Sequence, residues 1–287
     1  MKIAVLGASG FIGRNFIQQL TRLQITPRVI TRDKKTHITG SSVVYVPSFT
    51  ANALKFALQD AEIVVNFIGR FPPPYAAQIS TNVDVLSTIC KSLDYKHIKQ
   101  FIHFSAAAAY GACEVPPRET DPLSPDTSYG LSKLLGEEIV RHFHDTHNLP
   151  YVLLRPTNVY GADARQGVIY TMVSSAKRQS LVRVTGTGQQ IRDFIHVNDA
   201  TNALLAVIRQ KVINDVFNLS SAEVLSVLAL GEKIIARVNP LAKFVYVAEN
   251  KGSIQKLTAD NTHLRQKLGW KPVWNLDRGI DQVAQSV

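Results

Sequence analysis

Cysteine, methionine and tryptophan are scarce in this 287-residue chain, which has two residues of each. Cys90 and Cys113 lack the spacing of metal ligands or of a CxxC pair, so we expect reduced thiols in a cytoplasmic protein. No apolar run approaches the length that spans a bilayer. The first predicted strand begins at residue 2, which leaves no room for a signal peptide. We therefore expect no membrane partner.

Acidic residues are also few, 22 against 32 Lys and Arg, and the net charge is +10. Such an excess suits an anionic partner. The basic residues are scattered and form no known nucleic-acid-binding motif, so we expect no nucleic-acid partner. Phosphorylated small molecules account for the charge more economically, and surface solvation is the alternative. Length and 45% hydrophobic content predict one large globular domain or two closely joined ones.

The first twenty residues combine an apolar run, three glycines and a helical pattern. Ile3–Leu6 is short and apolar, which predicts a buried strand of a parallel sheet. Gly7, Gly10 and Gly13 follow, and apolar residues then recur at helical spacing. We expect Gly7 to make the turn, Gly10 to allow close approach, and Gly13 to pack helix on strand. The unpaired amides of a helix N-terminus would hold a pyrophosphate. A glycine-rich turn that binds nothing is the alternative.

The second predicted strand, Arg28–Thr31, ends at Arg32. In an open parallel sheet this end meets the adenosine ribose, where an acidic side chain accepts from the 2′-hydroxyl and an Arg accommodates a 2′-phosphate. Arg32, with Thr31 and Arg14, therefore favours NADP. Asp33 leaves NAD as the alternative, and a solvated charged turn is the other interpretation.

Strands and helices alternate through the next hundred residues. We predict a third strand at 43–46, a helix at 51–58, a fourth strand within 62–69, a stiff proline loop at 70–75, a helix at 82–93 and a fifth strand within 100–111. Gly69 ends the fourth strand in a second glycine turn, where it would allow close backbone approach to a cofactor.

Tyr129 and Lys133 open a predicted helix that reaches His147. Four residues apart, they share one face of that helix. A free Tyr titrates near 10, and a nearby ammonium group should lower its pKa enough for acid–base work. The pair therefore predicts a phenol that exchanges a proton with a substrate oxygen while hydride moves to or from a nicotinamide. A surface Tyr–Lys pair is the alternative.

These motifs together resemble the extended short-chain dehydrogenase/reductases of the NAD-dependent epimerase/dehydratase family, whose members act mostly on nucleotide sugars. The resemblance covers nearly the whole chain and implies an α/β fold, a doubly wound Rossmann-type parallel sheet with a smaller C-terminal substrate lobe. Its motifs are the glycine turn and residues 104–111, 129–133, 154–161, 186–188, 192–199 and 268–272.

The resemblance also assigns residues to a cofactor site and a catalytic site. Ser48 stands where relatives contact adenine through an Asp, with Phe49 beside it. Asn82 resembles a structural or proton-relay Asn, with a helix cap as the alternative. The implied cofactor-binding residues are Gly7, Ser9, Gly10, Phe11, Ile12, Gly13, Arg32, Ser48, Phe49, Gly69, Tyr129, Lys133 and Pro156. The implied catalytic residues are Tyr129, Lys133 and Ser105.

One catalytic position departs from the family pattern. The usual Ser or Thr, four residues before Tyr110, is here Ala106. Ser105 is adjacent, but neighbours on a strand point to opposite faces, so it need not substitute. Losing one hydrogen-bond donor to a developing oxyanion slows chemistry by about a hundredfold. Ala107 and Ala108 replace the acidic pair of the sugar dehydratases, which makes epimerisation or carbonyl reduction the expected chemistry.

For the substrate, the resemblance implies Asn158, Arg192 and Lys251. Arg192 would pair with a nucleotide diphosphate, because a guanidinium matches phosphate oxygens in a bidentate way. An ion pair with Asp193 or Asp199 is the alternative. Lys251 stands in the region of a second diphosphate Arg, which weakens the case for a nucleotide sugar.

The predicted organisation is a cofactor-binding domain at 1–161, to which 193–220 returns, and a substrate lobe at 162–192 and 221–287. His142, His144 and His147 predict a solvated surface better than a metal site. Helices bearing Asn82 and Tyr129 imply a homodimer through a four-helix bundle. The predicted function is an NAD(P)-dependent nucleotide-sugar epimerase or carbonyl reductase. The alternative is a cofactor-binding regulatory or assembly protein without turnover.

Overall fold

Strands and helices alternate through most of the chain in the computed structural model, which describes residues 1–71, 73–248 and 254–287. The strands within these ranges are β1 Ile3–Leu6, β2 Arg28–Thr31, β3 Ser42–Tyr45, β4 Ile63–Asn66, β5 Gln100–Phe104, β6 Tyr151–Pro156, β7 Asn158–Tyr160, β8 Leu181–Thr185, β9 Ile191–His196, β10 Asp215–Leu219, β11 Val224–Ser226, β12 Lys243–Val247 and β13 Lys256–Leu257. The α-helices are α1 Phe11–Arg22, α2 Ala51–Leu58, α3 Tyr75–Ile79, α4 Val85–Lys91, α5 Ser128–His147, α6 Val168–Gln179, α7 Val197–Arg209, α8 Val227–Val238, α9 Thr262–Leu268 and α10 Leu276–Ser286.

A seven-stranded sheet in the order β10-β6-β5-β4-β1-β2-β3 forms the larger lobe. Every neighbouring pair in it is parallel. Its central strands β1, β4 and β5 are buried along their whole length because helices cover both faces. The doubly wound fold predicted from the sequence is confirmed. The edge strand β3 spans Ser42–Tyr45 rather than 43–46, and Val43 and Tyr45 on it are exposed.

Two apolar layers flank this sheet. On one face α1 and α7 pack against β1, β4 and β5, with Phe16, Leu20 and Leu204 fully buried. On the other face α2, α4 and α5 contribute Leu54, Leu86 and Val140. Since both faces are filled by helices, the carboxyl edge of the sheet is where a ligand of this topology binds.

The helix predicted at 82–93 starts earlier and is irregular. α3 begins at Tyr75, passes through a π-helical turn at Ser80–Asp84, and continues as α4 to Lys91. The prolines that predicted a loop stand directly before α3, where the missing amide of a proline costs a helix nothing. Asn82 lies inside the π-helical turn, so it is neither a helix cap nor on a regular helix.

The smaller lobe holds two further sheets. β11, β9 and β13 form one, with β7 paired to β9, and β12 pairs with β8 in the other. Ile169, Leu230 and Ile280 from α6, α8 and α10 lie in its core. Within the predicted return segment 193–220, α7 and β10 rejoin the larger lobe, whereas β9 pairs outside the seven-stranded sheet. No described helix is both long enough and apolar enough to cross a lipid bilayer.

Candidate functional site

The turn between β1 and α1 leaves helix amides available to a ligand. Gly10 is the N-cap of α1, with no side-chain cap and no acidic residue in the first turn. Gly7 has φ +76°, and a Cβ there would lie 2.8 Å from the Ile68 amide nitrogen. A Cβ on Gly13 would come within 2.4 Å of the Gly7 carbonyl oxygen. The turn therefore requires Gly7 and Gly13, and the uncapped amides fit a pyrophosphate.

The other predicted residues of this turn line its rim. Ser9 is exposed and Phe11 and Ile12 are half-buried. The Ser9 carbonyl accepts from the Arg14 guanidinium at 3.0 Å. This bond holds Arg14 beside the turn, where its positive charge favours an anion.

Cations cluster where β2 and β3 end. The Arg32 guanidinium lies 4.9 Å from the centroid of the Phe49 ring, and the Lys34 ammonium lies 5.1 Å from that of Tyr45. The Asp33 carboxylate accepts from the Lys35 amide at 2.9 Å, so it caps a local turn. Ser48 is exposed beside Phe49. The rim of the predicted adenosine site thus carries positive charge from Arg32 and Lys34, while the Asp33 carboxylate is bonded to the backbone.

Lys133 is buried at the carboxyl edge of the sheet. α5 is capped by Thr127, whose hydroxyl accepts from the Gly130 amide at 3.0 Å. One turn into the helix, the Lys133 Nζ donates to the Phe104 carbonyl at 2.8 Å. A Cβ on Gly69 would lie 3.0 Å from this nitrogen, so glycine leaves room for the amine. Burial lowers the pKa of Lys133 to about 8, against the opposing charge of Glu137.

Tyr129 lies next to Lys133, but the pKa of its phenol is not lowered as the sequence predicted. The Lys133 Nζ is 5.9 Å from the centroid of the Tyr129 ring. Burial raises the pKa of Tyr129 to about 12, whereas the sequence predicted a lowered value. The physical reason is that the ammonium group bonds the Phe104 carbonyl while burial penalises the phenolate.

Ser105 and Ala106 leave β5 behind the start of α5. Ala106 is extended and 5% exposed, and the 3₁₀ turn Ala107–Ala109 that follows packs against α5. Ser105 is also buried, its amide donates to the Leu154 carbonyl at 2.8 Å, and its side chain is among the groups that lower the pKa of Glu137. The catalytic role of Ser105 stays a prediction.

Two buried amide side chains hold the loop before α3. The Asn82 Oδ1 accepts from the Arg70 amide at 2.7 Å, and its Nδ2 donates to the Arg70 carbonyl at 3.0 Å and to Ser132 Oγ at 2.8 Å. Gln78 Nε2 donates to the Phe71 carbonyl at 2.6 Å. Of the alternatives for Asn82, these contacts favour the structural one. Gln78 was not predicted from the sequence, because helical spacing gives no sign of a contact between a helix and a loop.

A buried ion pair beneath the site joins α5 to β6. Arg155 contacts both carboxylate oxygens of Glu137, at 2.9 Å from Nε and 2.6 Å from Nη2, and neither side chain is more than 1% exposed. Arg155 Nη1 also donates to the Tyr110 hydroxyl at 2.7 Å. Burial raises the pKa of Glu137, but the Arg155 hydrogen bond and charge hold it below its usual range. Glu137 was not predicted as part of the site, although it lies four residues after Lys133 and therefore on the same face of α5.

The predicted substrate residues lie at the junction of the lobes, where the larger sheet meets β9. Asn158 Nδ2 donates to the Asp193 carbonyl at 2.8 Å. The Arg192 guanidinium donates to the carbonyls of Ile191 and Ile254, at 2.8 and 2.5 Å.

The proposed acidic partners of Arg192 are engaged elsewhere. The Asp193 carboxylate accepts from Thr157 and Ser220, and the Asp199 carboxylate accepts from two backbone amides. These contacts do not favour the ion-pair alternative. Pro156 ends β6 and pairs in register with Leu219. Lys251 lies outside the described residues.

The order of the sheet, the glycine turn and the Tyr129–Lys133 pair now identify the family. The model of the NAD dependent epimerase/dehydratase family matches residues 3–220. The chain belongs to this family. A low-salt glycan biosynthesis protein of Haloferax volcanii is 28% identical over 302 aligned positions, covering 98% of this chain and 96% of the relative.

Solved structures in the family share the whole fold. A UDP-glucose 4-epimerase of Thermotoga maritima, solved with UDP-glucose, is 24% identical with a TM-score of 0.90, covering 100% of this chain and 98% of that one. A UDP-glucuronic acid 4-epimerase of Bacillus cereus, solved with UDP-glucuronic acid and NAD, is 22% identical with a TM-score of 0.90 and the same coverage.

Membership of the epimerase/dehydratase family confirms the resemblance inferred from the motifs. In this family member the structure brings Tyr129, Lys133 and Gly69 together, with Arg32 and Phe49 paired at the end of β2. The described residues hold no group of three or more His, Cys, Asp or Glu side chains fit to bind a metal. His147 instead stacks on Tyr95, with ring centroids 4.8 Å apart.

Proposed function

We propose that the protein is an NAD(P)-dependent epimerase or carbonyl reductase that acts on a nucleotide sugar by hydride transfer. The observation that carries the proposal is the placement of Tyr129 beside a buried Lys133, whose Nζ is fixed by the Phe104 carbonyl and lies against Gly69. When bound, the dinucleotide supplies the hydride acceptor or donor. Tyr129 takes the proton from the sugar hydroxyl as hydride leaves its carbon, and returns it when the carbonyl is reduced.

Lys133 is suited to stabilise the phenolate that Tyr129 becomes. Its ammonium is removed from water, so its charge acts through a low dielectric. A substrate oxygen and a cofactor ribose at this edge would replace the contacts that now make the phenolate costly. The raised pKa of Tyr129, about 12, and the lowered pKa of Lys133, about 8, lie further apart than those of the free side chains, so the phenol keeps its proton until cofactor and substrate bind.

We also propose that the cofactor is NADP. Arg32 stands at the end of β2, and the adjacent Asp33 carboxylate is committed to the Lys35 amide. Arg14 and Lys34 add positive charge near the same edge, which supports a 2′-phosphate. The solved relative from Bacillus cereus contains NAD, so NAD is the alternative for this chain.

The substrate we propose is a nucleotide sugar, the class bound in the two solved relatives. Arg192, with Asn158, lies beside β9 and would meet the diphosphate; Lys251 is the further candidate. For Arg192 to do so, its guanidinium would exchange the Ile191 and Ile254 carbonyls for phosphate oxygens, which form stronger, charge-assisted hydrogen bonds.

A homodimer through α4 and α5 completes the proposal. A groove of about 430 Å³ runs between these helices, lined by apolar and charged side chains that include Val83, Leu135 and Ile139. Leu131 and Leu135 are exposed on one face of α5. A second copy would cover this apolar face.

The test is turnover by the purified protein with NADP or NAD across UDP- and dTDP-sugars. We expect wild-type activity and a loss of at least ~100-fold in Tyr129→Phe, because the phenol exchanges the proton. The profile of kcat/KM should fall above about pH 8, since Lys133 then loses the proton whose charge stabilises the phenolate. Tyr75→Ala, which changes an exposed aromatic residue at the start of α3, is the control.

A cofactor-binding protein without turnover is the second candidate, and Ala106 favours it. Its methyl group cannot donate to a developing oxyanion. If no sugar is turned over while NADP or NAD raises the melting temperature, this second candidate replaces the first.

A further inference from the structure

An exposed aromatic ring stands beside the proposed catalytic phenol. Phe71 is 63% exposed, and its ring meets the Tyr129 ring edge-on, with centroids 5.0 Å apart and an interplanar angle of 79°. A ligand that covers this ring gains hydrophobic free energy. The place of the ring next to Tyr129 puts it within reach of the molecule on which Tyr129 acts.

Two buried amide side chains hold the backbone that carries Phe71. Asn82 bonds both the amide and the carbonyl of Arg70, and Gln78 bonds the Phe71 carbonyl. Both amide side chains are buried, at 1% and 2% exposure. Two buried polar side chains therefore fix the backbone that carries the ring before any ligand arrives.

The turn that meets the start of α5 is also apolar. Ala106 and the Ala107–Ala109 turn follow β5 and carry only methyl groups. The turn lies directly against the start of α5, because a Cβ on Gly130 would come 2.3 Å from the Ala108 carbonyl oxygen. The Phe71 ring and these methyl groups offer no side-chain hydrogen-bond partner to a sugar hydroxyl.

Under the proposed function, the cofactor lies on the side of Lys133 that faces Gly69, and not beside Phe71. A Cβ on Gly69 would lie 3.0 Å from the Lys133 amine, so the lack of a side chain there leaves that flank open, and under the proposed function the nicotinamide ribose occupies it. Phe71 stands two residues further along the chain and contacts the ring of Tyr129. The space in front of Phe71 is left to the sugar.

We propose that Phe71 is a specificity-determining residue whose ring forms an apolar wall of the sugar subsite and selects 6-deoxy sugars over those with a 6-hydroxyl. A methyl group at C5 of the sugar packs on the ring without leaving a hydroxyl unpaired. An apolar wall discriminates between such groups by about tenfold. This inference rests on the proposed function, since it names the substrate class of the same site.

The experiment compares UDP-glucose with UDP-6-deoxyglucose, using cofactor-loaded protein. Dissociation constants from calorimetry and kcat/KM from turnover are measured for each sugar. We expect wild type to favour the 6-deoxy sugar by about tenfold, Phe71→Ala to lose that preference, and Phe71→Leu to keep most of it. Tyr75→Ala, another exposed aromatic residue of the same segment, should keep the wild-type ratio.

The outcomes separate the two proposals. A wild-type protein without preference, or a Phe71→Ala variant with an unchanged ratio, overturns the role of Phe71 while turnover leaves the proposed function standing. A calorimetric preference that Phe71→Ala abolishes, in protein that turns over neither sugar, supports the role of Phe71 and contradicts the enzymatic function. If neither sugar binds, the inference fails, and a cofactor-induced rise in melting temperature then shows that the protein binds only its dinucleotide.

Discussion

At the scale of single residues, the contacts of Lys133 show what helical spacing can predict and what it cannot. Helical spacing places Tyr129 and Lys133 on one face, as the structure has them. It could not show that the Lys133 amine bonds the carbonyl of Phe104, because that carbonyl belongs to another element. The error over the pKa of Tyr129 follows directly, since a charge acts on a phenol only through the geometry between them.

Arg32 is the residue on which cofactor choice depends. We expect Arg32→Ala to weaken NADPH binding at least ~10-fold while leaving NADH binding almost unchanged, because only NADPH carries the 2′-phosphate. Fluorescence titration of both cofactors measures the two affinities. Arg22→Ala, which removes an exposed cation at the far end of α1, is the control and should change neither affinity.

An equal loss of both cofactors in Arg32→Ala, or a wild-type preference for NADH, would remove this role from Arg32. The guanidinium would then serve only to cover the Phe49 ring.

At the scale of elements, α5 was predicted with its bounds and α3 was missed. The start of α5 is signalled locally by Thr127, Ser128 and the apolar spacing that follows. The helix from Tyr75 follows prolines and contains a π-helical turn, and neither feature has a regular sequence period. Tertiary contacts of Asn82 and Gln78 stabilise that segment, so its form depends on residues far along the chain.

The buried ion pair between α5 and β6 makes a prediction for stability. Arg155→Met should destabilise the protein by about 3–5 kcal/mol, because it leaves the Glu137 carboxylate buried without its main partner. The Arg155→Met/Glu137→Leu double variant should recover part of this loss. Arg141→Met is the control and should cost less than about 1 kcal/mol, because Arg141 is 29% exposed and its 3.3 Å contact with Glu137 is longer than either contact of Arg155, and partly exposed ion pairs contribute little. Urea unfolding measures all four proteins.

A cost for Arg141→Met equal to that of Arg155→Met would contradict this assignment. It would mean that Glu137 draws its stabilisation from the surface and not from the buried guanidinium.

At the scale of the whole molecule, the parallel sheet, its ligand edge and a smaller second lobe were predicted from the sequence, while the strand pairing inside that lobe was not. Alternating apolar runs and helical patterns predict a doubly wound sheet. β9 overlaps the start of the segment 193–220 that was predicted to return to the larger domain, yet it pairs with β7, β11 and β13. Short strands such as β11 and β13 carry too few residues to show a period of two.

The proposed dimer is testable at this scale. In analytical ultracentrifugation we expect the wild-type protein to have twice the 31.7 kDa mass of the chain. The Leu135→Arg variant should be a monomer, because the new charge lies in the groove between α4 and α5. Leu241→Arg, at a leucine that is 82% exposed outside that groove, is the control. A Leu135→Arg protein that stays dimeric would place the interface elsewhere.

The bonds of the Asp193 carboxylate bear on how such a protein diversifies. This side chain of β9 is tied to Thr157, which follows β6, and to Ser220, which follows β10. These hydrogen bonds fix the two lobes relative to each other. Moving the lobes apart would leave the Asp193 carboxylate without its partners. New preferences for ligands would then arise in peripheral loops such as the one bearing Phe71.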